Sequence, residues 1–68
     1  MPIQVTINGR NLELPEPVSL TAYLEDKGLT GRRIAVAHNG DVVSSSDYGN
    51  VLIGDGDTVE IVRPVGGG

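Results

Sequence analysis

The chain has no cysteine, tryptophan or phenylalanine, and it has a single histidine, His38. A chain without cysteine cannot form a disulfide, a thiolate zinc site or a cysteine-ligated iron–sulfur cluster, and one histidine cannot build a multi-histidine metal site. Its only aromatic residues are two tyrosines, too few for a platform on which the bases of single-stranded nucleic acid could stack. The composition therefore predicts a protein without a bound metal or cofactor.

Basic residues are scarce as well: five lysines and arginines stand against nine acidic residues, for a net charge of −4. A nucleic-acid-binding surface needs a basic patch to neutralise phosphates, so we expect no nucleic-acid partner. No apolar run comes near the roughly 20 residues that a membrane span requires, and no secretion-signal pattern is evident. We expect a cytoplasmic protein without membrane contact, and 68 residues suffice for one small domain.

The start of the chain predicts a β-hairpin around Asn8-Gly9. Apolar and polar residues alternate in IQVTI and again in LEL, on either side of that pair. Asn-Gly is a strong hairpin signal because a type I′ turn needs positive φ at both central residues. The turn would pair four apolar residues on one face of the sheet: Ile3 with Leu14 and Val5 with Leu12.

A short helix is predicted next. Ser19 can cap its start, Leu20, Tyr23 and Leu24 share one apolar face, and Gly28 can end it in the left-handed conformation. A helix of about two turns is unstable in isolation, so it must pack against the sheet.

The second half of the chain returns to strands. IAVAHNGDVV predicts another hairpin, around its own Asn-Gly pair or with a longer turn through Asp41. SSSDYGN predicts a loose helical turn, and DTVEIV predicts a last strand. In that strand Val59 and Ile61 face one way, and Glu60 and Val62 face the other. The predicted core consists of Ile3, Val5, Leu12, Leu14, Leu20, Leu24, Val36, Val59 and Ile61.

This order of elements predicts an α+β domain in which a mixed sheet of four to five strands curls around one short α-helix. The crossover through the helix needs a parallel neighbour, so the last strand should lie beside the first, near the centre of the sheet. That arrangement is the β-grasp, or ubiquitin-like, fold. We expect the domain to span residues 1–65 and the glycines of residues 66–68 to form a flexible tail.

A resemblance to a known family lies in IAVAHNGDVV (residues 34–43), in IGDGDTVEIV (residues 53–62), in the final Gly67-Gly68 and in the chain length. Together these features resemble the ThiS family, the small sulfur carriers of thiamin (thiazole) biosynthesis. They resemble more distantly the MoaD carriers of molybdopterin synthesis. The resemblance implies a protein co-substrate rather than an enzyme.

It also implies a chemistry for the terminus. A ThiF-like adenylyltransferase would use ATP and Mg to adenylate the carboxylate of Gly68, and a persulfide donor such as a cysteine desulfurase would convert it to a thiocarboxylate. A ThiG-like thiazole synthase would then receive the sulfur. Gly66 and Gly67 would thread the partner's active-site channel, because glycine has no Cβ to obstruct the passage.

The open face of the sheet, opposite the helix, predicts a docking strip for these partners. Ala35, Ala37 and Val62 should be uncovered there, and Pro64 and Val65 would extend the strip toward the tail. An exposed apolar strip beside a reactive terminus is typical of an interaction site.

The sequence is also compatible with two other functions, and several polar residues have a structural interpretation. The alternatives are a MoaD-like carrier for molybdopterin or another sulfur-containing metabolite, and a ubiquitin-like modifier or binding module. We interpret His38 as structural, Asp55 and Asp57 as turn residues, and Arg32-Arg33 as a solvated pair before a strand.

Overall fold

The computed structural model describes residues 1–63. The elements are β1 (Ile3–Ile7), β2 (Arg10–Leu14), β3 (Val18–Ser19), α1 (Leu20–Asp26), β4 (Ala35–His38), β5 (Asp41–Val43), a 3₁₀ helix (Ser45–Asn50), β6 (Leu52–Ile53) and β7 (Thr58–Val62).

Five strands form one mixed sheet in the order β2-β1-β7-β4-β5, in which β1 and β7 are parallel and the other neighbours antiparallel. The last strand therefore lies beside the first at the centre of the sheet, which confirms the predicted β-grasp topology. β3 and β6 form a separate two-stranded sheet. That sheet was not predicted, because strands of two residues are too short to show an alternating pattern.

Both Asn-Gly pairs adopt the predicted turn. The φ angles are +53° at Asn8, +80° at Gly9, +52° at Asn39 and +89° at Gly40, so both central residues of each turn are left-handed, as in type I′. The first hairpin has the predicted register, with Ile3 opposite Leu14 and Val5 opposite Leu12.

The helix α1 is capped at both ends. The hydroxyl of Ser19 accepts a hydrogen bond of 3.0 Å from a backbone N–H of the first turn. At the other end Gly28 has a φ of +71° and donates its N–H to the carbonyl of Glu25, while Leu29 donates to the carbonyl of Leu24 over 2.8 Å. This pair of bonds is the Schellman motif, and it confirms Gly28 as the residue that ends the helix.

The core is one apolar cluster between the sheet and α1. Its buried residues are Ile3, Val5, Ile7, Leu20, Tyr23, Leu24, Val36, Ile53 and Val59. Leu12, Leu14 and Ile61, predicted as core residues, are only partly buried and pack against its rim, since β2 is an edge strand and Ile61 lies near the end of β7. Ile53 was missed because it belongs to a two-residue strand.

Within residues 1–63, no helix has the length and the apolar character that crossing a membrane requires.

Candidate functional site

The open face of the sheet carries an apolar patch at one corner. We define the patch as Ala35 and Ala37 of β4, Val42 of β5 and Val62 of β7. These side chains alternate along their strands with residues turned toward the core, such as Val36 and Val59, so the patch faces away from α1.

The register of the sheet brings these residues together. Ala35 lies opposite Val62, and Ala37 lies between Val42 and Glu60 on the two neighbouring strands. Val42 is 83% exposed and Val62 is 58% exposed, whereas the small alanines between them leave a shallow depression of about 220 Å³. A partner could insert an apolar side chain there, with the carboxylate of Glu60 at the rim.

Three residues of the predicted docking strip are among the described residues, and their docking role stays a prediction. Ala35, Ala37 and Val62 lie side by side on the open face, as the alternation indicated. Pro64 and Val65, the rest of the strip, lie outside the described residues, as do Gly66, Gly67 and Gly68.

Val42 was missed, although the sequence contains the signal for it. A two-residue turn at Asn39-Gly40 pairs His38 with Asp41 and therefore Ala37 with Val42, so the two side chains must share a face.

The strand that leads to the tail is held at both of its edges. The side-chain amide oxygen of Asn8 accepts the N–H of Ile61 over 2.7 Å, and the N–H of Asn8 donates to the carbonyl of Val59 over 2.9 Å. On the other edge β4 pairs with β7 from Ala35 to His38. The last described residue, Arg63, therefore follows a strand that is fixed in the middle of the sheet.

A polar network secures the opposite end of β7. One carboxylate oxygen of Asp57 accepts hydrogen bonds from Nε2 of His38 over 2.7 Å and from the N–H of Gly54 over 2.9 Å, and the other accepts from Nδ2 of Asn39 over 3.2 Å. Asn39 in turn accepts the N–H of Thr58 over 2.8 Å. The network ties the second hairpin to the turn that precedes the last strand.

These contacts determine the ionisation of Asp57. Partial burial by itself raises the pKa of the carboxyl, but the hydrogen bonds from Gly54, His38 and Asn39 and the charge of His38 together outweigh it. The pKa of Asp57 is therefore below its ordinary value.

The Gly-Asp-Gly-Asp turn also holds the start of β1. The N–H of Gln4 donates to Oδ1 of Asp55 over 2.7 Å, and the carbonyl of Gln4 accepts the N–H of Gly56 over 2.7 Å. Both aspartates act as turn residues, and His38 has a structural partner, as interpreted from the sequence. No cluster of three or more metal-ligating side chains occurs in the part of the chain that the structure describes.

Comparison with known proteins gives matches along nearly the whole chain. A family model described as the ThiS family matches residues 4–68. A thiazole synthase of Paramagnetospirillum magneticum is 35% identical over 66 residues, which are 97% of this chain and 20% of that protein. The uncharacterized protein ycf40 of Porphyra purpurea is also 35% identical over 66 residues, 97% of this chain and 93% of that protein.

A solved structure has the same fold. The crystal structure of a thiamine biosynthesis protein (ThiS) from Geobacter metallireducens superposes with a TM-score of 0.84 at 26% identity, covering 97% of this chain and 100% of that one. The chain spans only a fifth of the length of the thiazole synthase, but nearly all of the other two proteins.

Proposed function

The chain belongs to the ThiS family, and we propose that it is a sulfur carrier of thiamin biosynthesis, a protein co-substrate that enzymes modify. The observation that carries this proposal is the extent of the family match, residues 4–68, which includes the terminal glycines as well as the domain. The solved structure of a thiamine biosynthesis protein with the same fold supports it.

The proposed reaction takes place at the carboxylate of Gly68. An adenylyltransferase joins that carboxylate to the α-phosphate of ATP and releases pyrophosphate. The terminal sulfur of a persulfide attacks the acyl-adenylate and displaces AMP, which leaves an acyl disulfide on the donor. A thiol then attacks the donor's sulfur, forms a new disulfide with it and releases the thiocarboxylate. In this scheme the adenylyltransferase, and not the carrier, binds ATP and Mg.

The composition of the chain suits an activated terminus. An acyl-adenylate is an electrophile, and a chain with no cysteine and one lysine, Lys27, has few nucleophiles of its own to capture it. Glycines at positions 66–68 present only backbone to a narrow channel, and they can adopt any φ that the channel imposes.

The partners follow from the same proposal. We assign the apolar patch to the docking of the adenylyltransferase, because it is exposed and apolar and includes Val62 of the strand that leads to the tail. A thiazole synthase is the proposed sulfur acceptor. Its support is the thiazole synthase that contains a segment similar to this chain within a polypeptide about five times as long.

The test is intact-mass analysis of the protein after incubation with ATP, Mg, the adenylyltransferase from the same genome and a persulfide donor. We expect a gain equal to one oxygen-to-sulfur exchange, located at Gly68 by fragmentation. Deletion of Gly67 and Gly68 should abolish the gain without changing the melting temperature, and so should extension of the chain beyond Gly68.

Other results would contradict the proposal. Sulfur at the new end of the extended chain would mean that Gly68 is not the recognised terminus. Isopeptide conjugates to lysines, without sulfur gain, would favour a ubiquitin-like modifier instead.

A further inference from the structure

A second surface lies on the helix side of the sheet, at the same end of the molecule as Arg63. Two cavities of about 420 and 250 Å³ adjoin there, since Leu29 and Ile34 line both. The first is also lined by Leu24 and Tyr48, and the second by Ile61. Together they form a groove with an apolar floor between α1, the loop of residues 27–34 and β7.

Nearly all the positive charge of the chain borders this groove. Arg32 and Arg33 line the first cavity, and Lys27 and Arg63 line the second. The remaining basic residue, Arg10, is on the edge strand β2. None of the acidic residues in the described part of the chain lines either cavity. A chain with a net charge of −4 thus concentrates four of its five cations around one groove, which we call the basic groove.

The arginines of the basic groove have no acidic partner within residues 1–63. The two ion pairs found there join Lys27 to Asp26 and His38 to Asp57. Arg32, Arg33 and Arg63 are all exposed, and they hold no carboxylate in that part of the chain. Guanidinium groups that pair with no carboxylate of residues 1–63 and surround an apolar floor can form bidentate bonds with carboxylates of another molecule.

We propose that the basic groove binds an acidic segment of the partner protein, one that carries carboxylates beside an apolar side chain. The carboxylates would pair with the arginines, and the apolar side chain would cover Leu29 and Ile34. The inference rests on the proposed function in taking the adenylyltransferase as that partner. Electrostatic complementarity of this kind speeds association and selects the orientation of docking.

The basic groove lies beside β7, the strand that precedes the reacting terminus. Ile61 and Val62 are neighbours on β7 and face opposite sides of the sheet, so that Ile61 lines the groove and Val62 lies in the apolar patch. A partner that contacts both surfaces would bind the sheet on its two faces, just before the chain continues into residues 64–68. Binding on both faces would fix the direction in which the reacting terminus is presented.

The first test is calorimetric titration of the adenylyltransferase with the double variant Arg32→Glu/Arg33→Glu. We expect the dissociation constant to rise roughly tenfold or more, and the salt dependence of binding to weaken, because rim charges act through long-range attraction. The variant Arg32→Lys/Arg33→Lys keeps the charge but not the bidentate geometry, so it should recover only part of the affinity. Each single variant, Arg32→Glu or Arg33→Glu, is compared with the matched control Arg10→Glu, which reverses one charge outside the groove and should leave binding within about twofold. Equal losses in the groove variant and the control, or no loss in either, would overturn the inference.

A second test needs no enzyme and is therefore independent of the sulfur-carrier proposal. A capped peptide of glutamates around one leucine is titrated into ¹⁵N-labelled protein, with the lysine version as control. Saturable shifts at the amides of Leu29, Arg33 and Ile34 with the acidic peptide alone would support the groove. Absence of such shifts would overturn it, even if sulfur transfer occurs. Tighter peptide binding after deletion of residues 64–68 would also overturn it, because the chain's own end would then be the occupant.

Discussion

At the scale of single residues, Asp57 forms hydrogen bonds with three separate parts of the structure, which no pattern in the sequence predicts. Its carboxylate contacts His38, Asn39 and the backbone of Gly54, and its own carbonyl accepts the N–H of Thr6 over 2.9 Å. The side chain thereby links the second hairpin to the turn before β7, and the backbone of the same residue links that turn to the first strand. The side chain is only 19% exposed, so these hydrogen bonds are partly shielded from water.

We predict that Asp57→Asn lowers the free energy of unfolding by about 1–3 kcal/mol at pH 7, because charge-assisted hydrogen bonds are lost. Folding lowers the pKa of Asp57, so the ionised carboxylate stabilises the folded protein. This stabilisation is fully present above the ordinary carboxyl pKa, near pH 4, and is lost as the pH falls through the lower pKa of the folded state. Urea unfolding from pH 7 to pH 3 should therefore show the gap between wild type and variant closing in the acid range.

A control variant distinguishes the loss of the Asp57 hydrogen bonds from the general effect of removing a negative charge. Asp47 is exposed in the 3₁₀ helix, and Asp47→Asn should change stability by no more than about 0.5 kcal/mol. A gap between wild type and Asp57→Asn that stays constant down to pH 3 would contradict the account.

At the scale of elements, α1 is too short to be stable by its own propensity, and its ends and its buried face hold it in place. A helix of seven residues lies far below the roughly 12–15 that an isolated helix needs. The Ser19 cap, the Schellman motif at Gly28 and the buried side chains of Leu20, Tyr23 and Leu24 supply what propensity does not. The loop that follows Gly28 carries Arg32 and Arg33, two of the three arginines of the basic groove, so the helix end also positions part of that surface.

We predict that Gly28→Ala destabilises the protein by about 1–2 kcal/mol, because its φ of +71° is unfavourable for a residue with a Cβ. An added Cβ at Gly28 would meet no atom within 4 Å, so the cost is one of backbone conformation and not of a clash. Gly49→Ala is the matched control, since Gly49 does not have positive φ and its Cβ would make an ordinary contact of 3.7 Å with Thr21. Thermal unfolding should show a loss for Gly28→Ala and little change for Gly49→Ala. Similar losses in both would argue against the capping role.

At the scale of the whole molecule, β7 joins the stability of the domain to its proposed function. It is the central strand, bonded to β1 on one side and β4 on the other, and its two faces contribute to the core and to the apolar patch. A surface change on such a strand should affect docking without unfolding the domain, provided that it lies on the open face.

We predict that Val62→Asp keeps the melting temperature within a few degrees of wild type but weakens binding to the adenylyltransferase by roughly tenfold or more, because it places a charge in an apolar contact. Thr58→Asp is the matched control, on the same face of β7 but outside the patch, and it should bind as wild type does. Calorimetry of both variants, together with thermal melts, makes the comparison. Unfolding of Val62→Asp, or an equal loss of affinity in Thr58→Asp, would remove the patch as the docking site.

Much of this architecture could be predicted from the sequence because it depends on local chemistry. The Asn8-Gly9 turn, the Ser19 cap and the Gly28 helix end each rest on residues that are neighbours in the chain, and their φ preferences and hydrogen bonds need no distant partner. Alternation along β7 likewise placed Val62 on the open face, because side-chain direction in a strand has a period of two.

Only the tertiary structure decided how distant pieces meet. The bond from His38 to Asp57 spans 19 residues, the bond from Ile61 to Asn8 spans 53, and the basic groove gathers its cations from the end of α1, the loop after it and the end of β7. No periodicity records such pairings, since they depend on how the packed elements are placed in space and not on the preference of any one segment. The sequence by itself determined the long strands, the helix α1, the facing of the strands and the glycine ending, but not the two-residue strands β3 and β6. The pairing of β7 with β4, and the packing of α1 and the loop after it against the sheet, determined that a hydrogen-bonded network, an apolar patch and a basic groove all lie on or beside the one strand that leads to that ending.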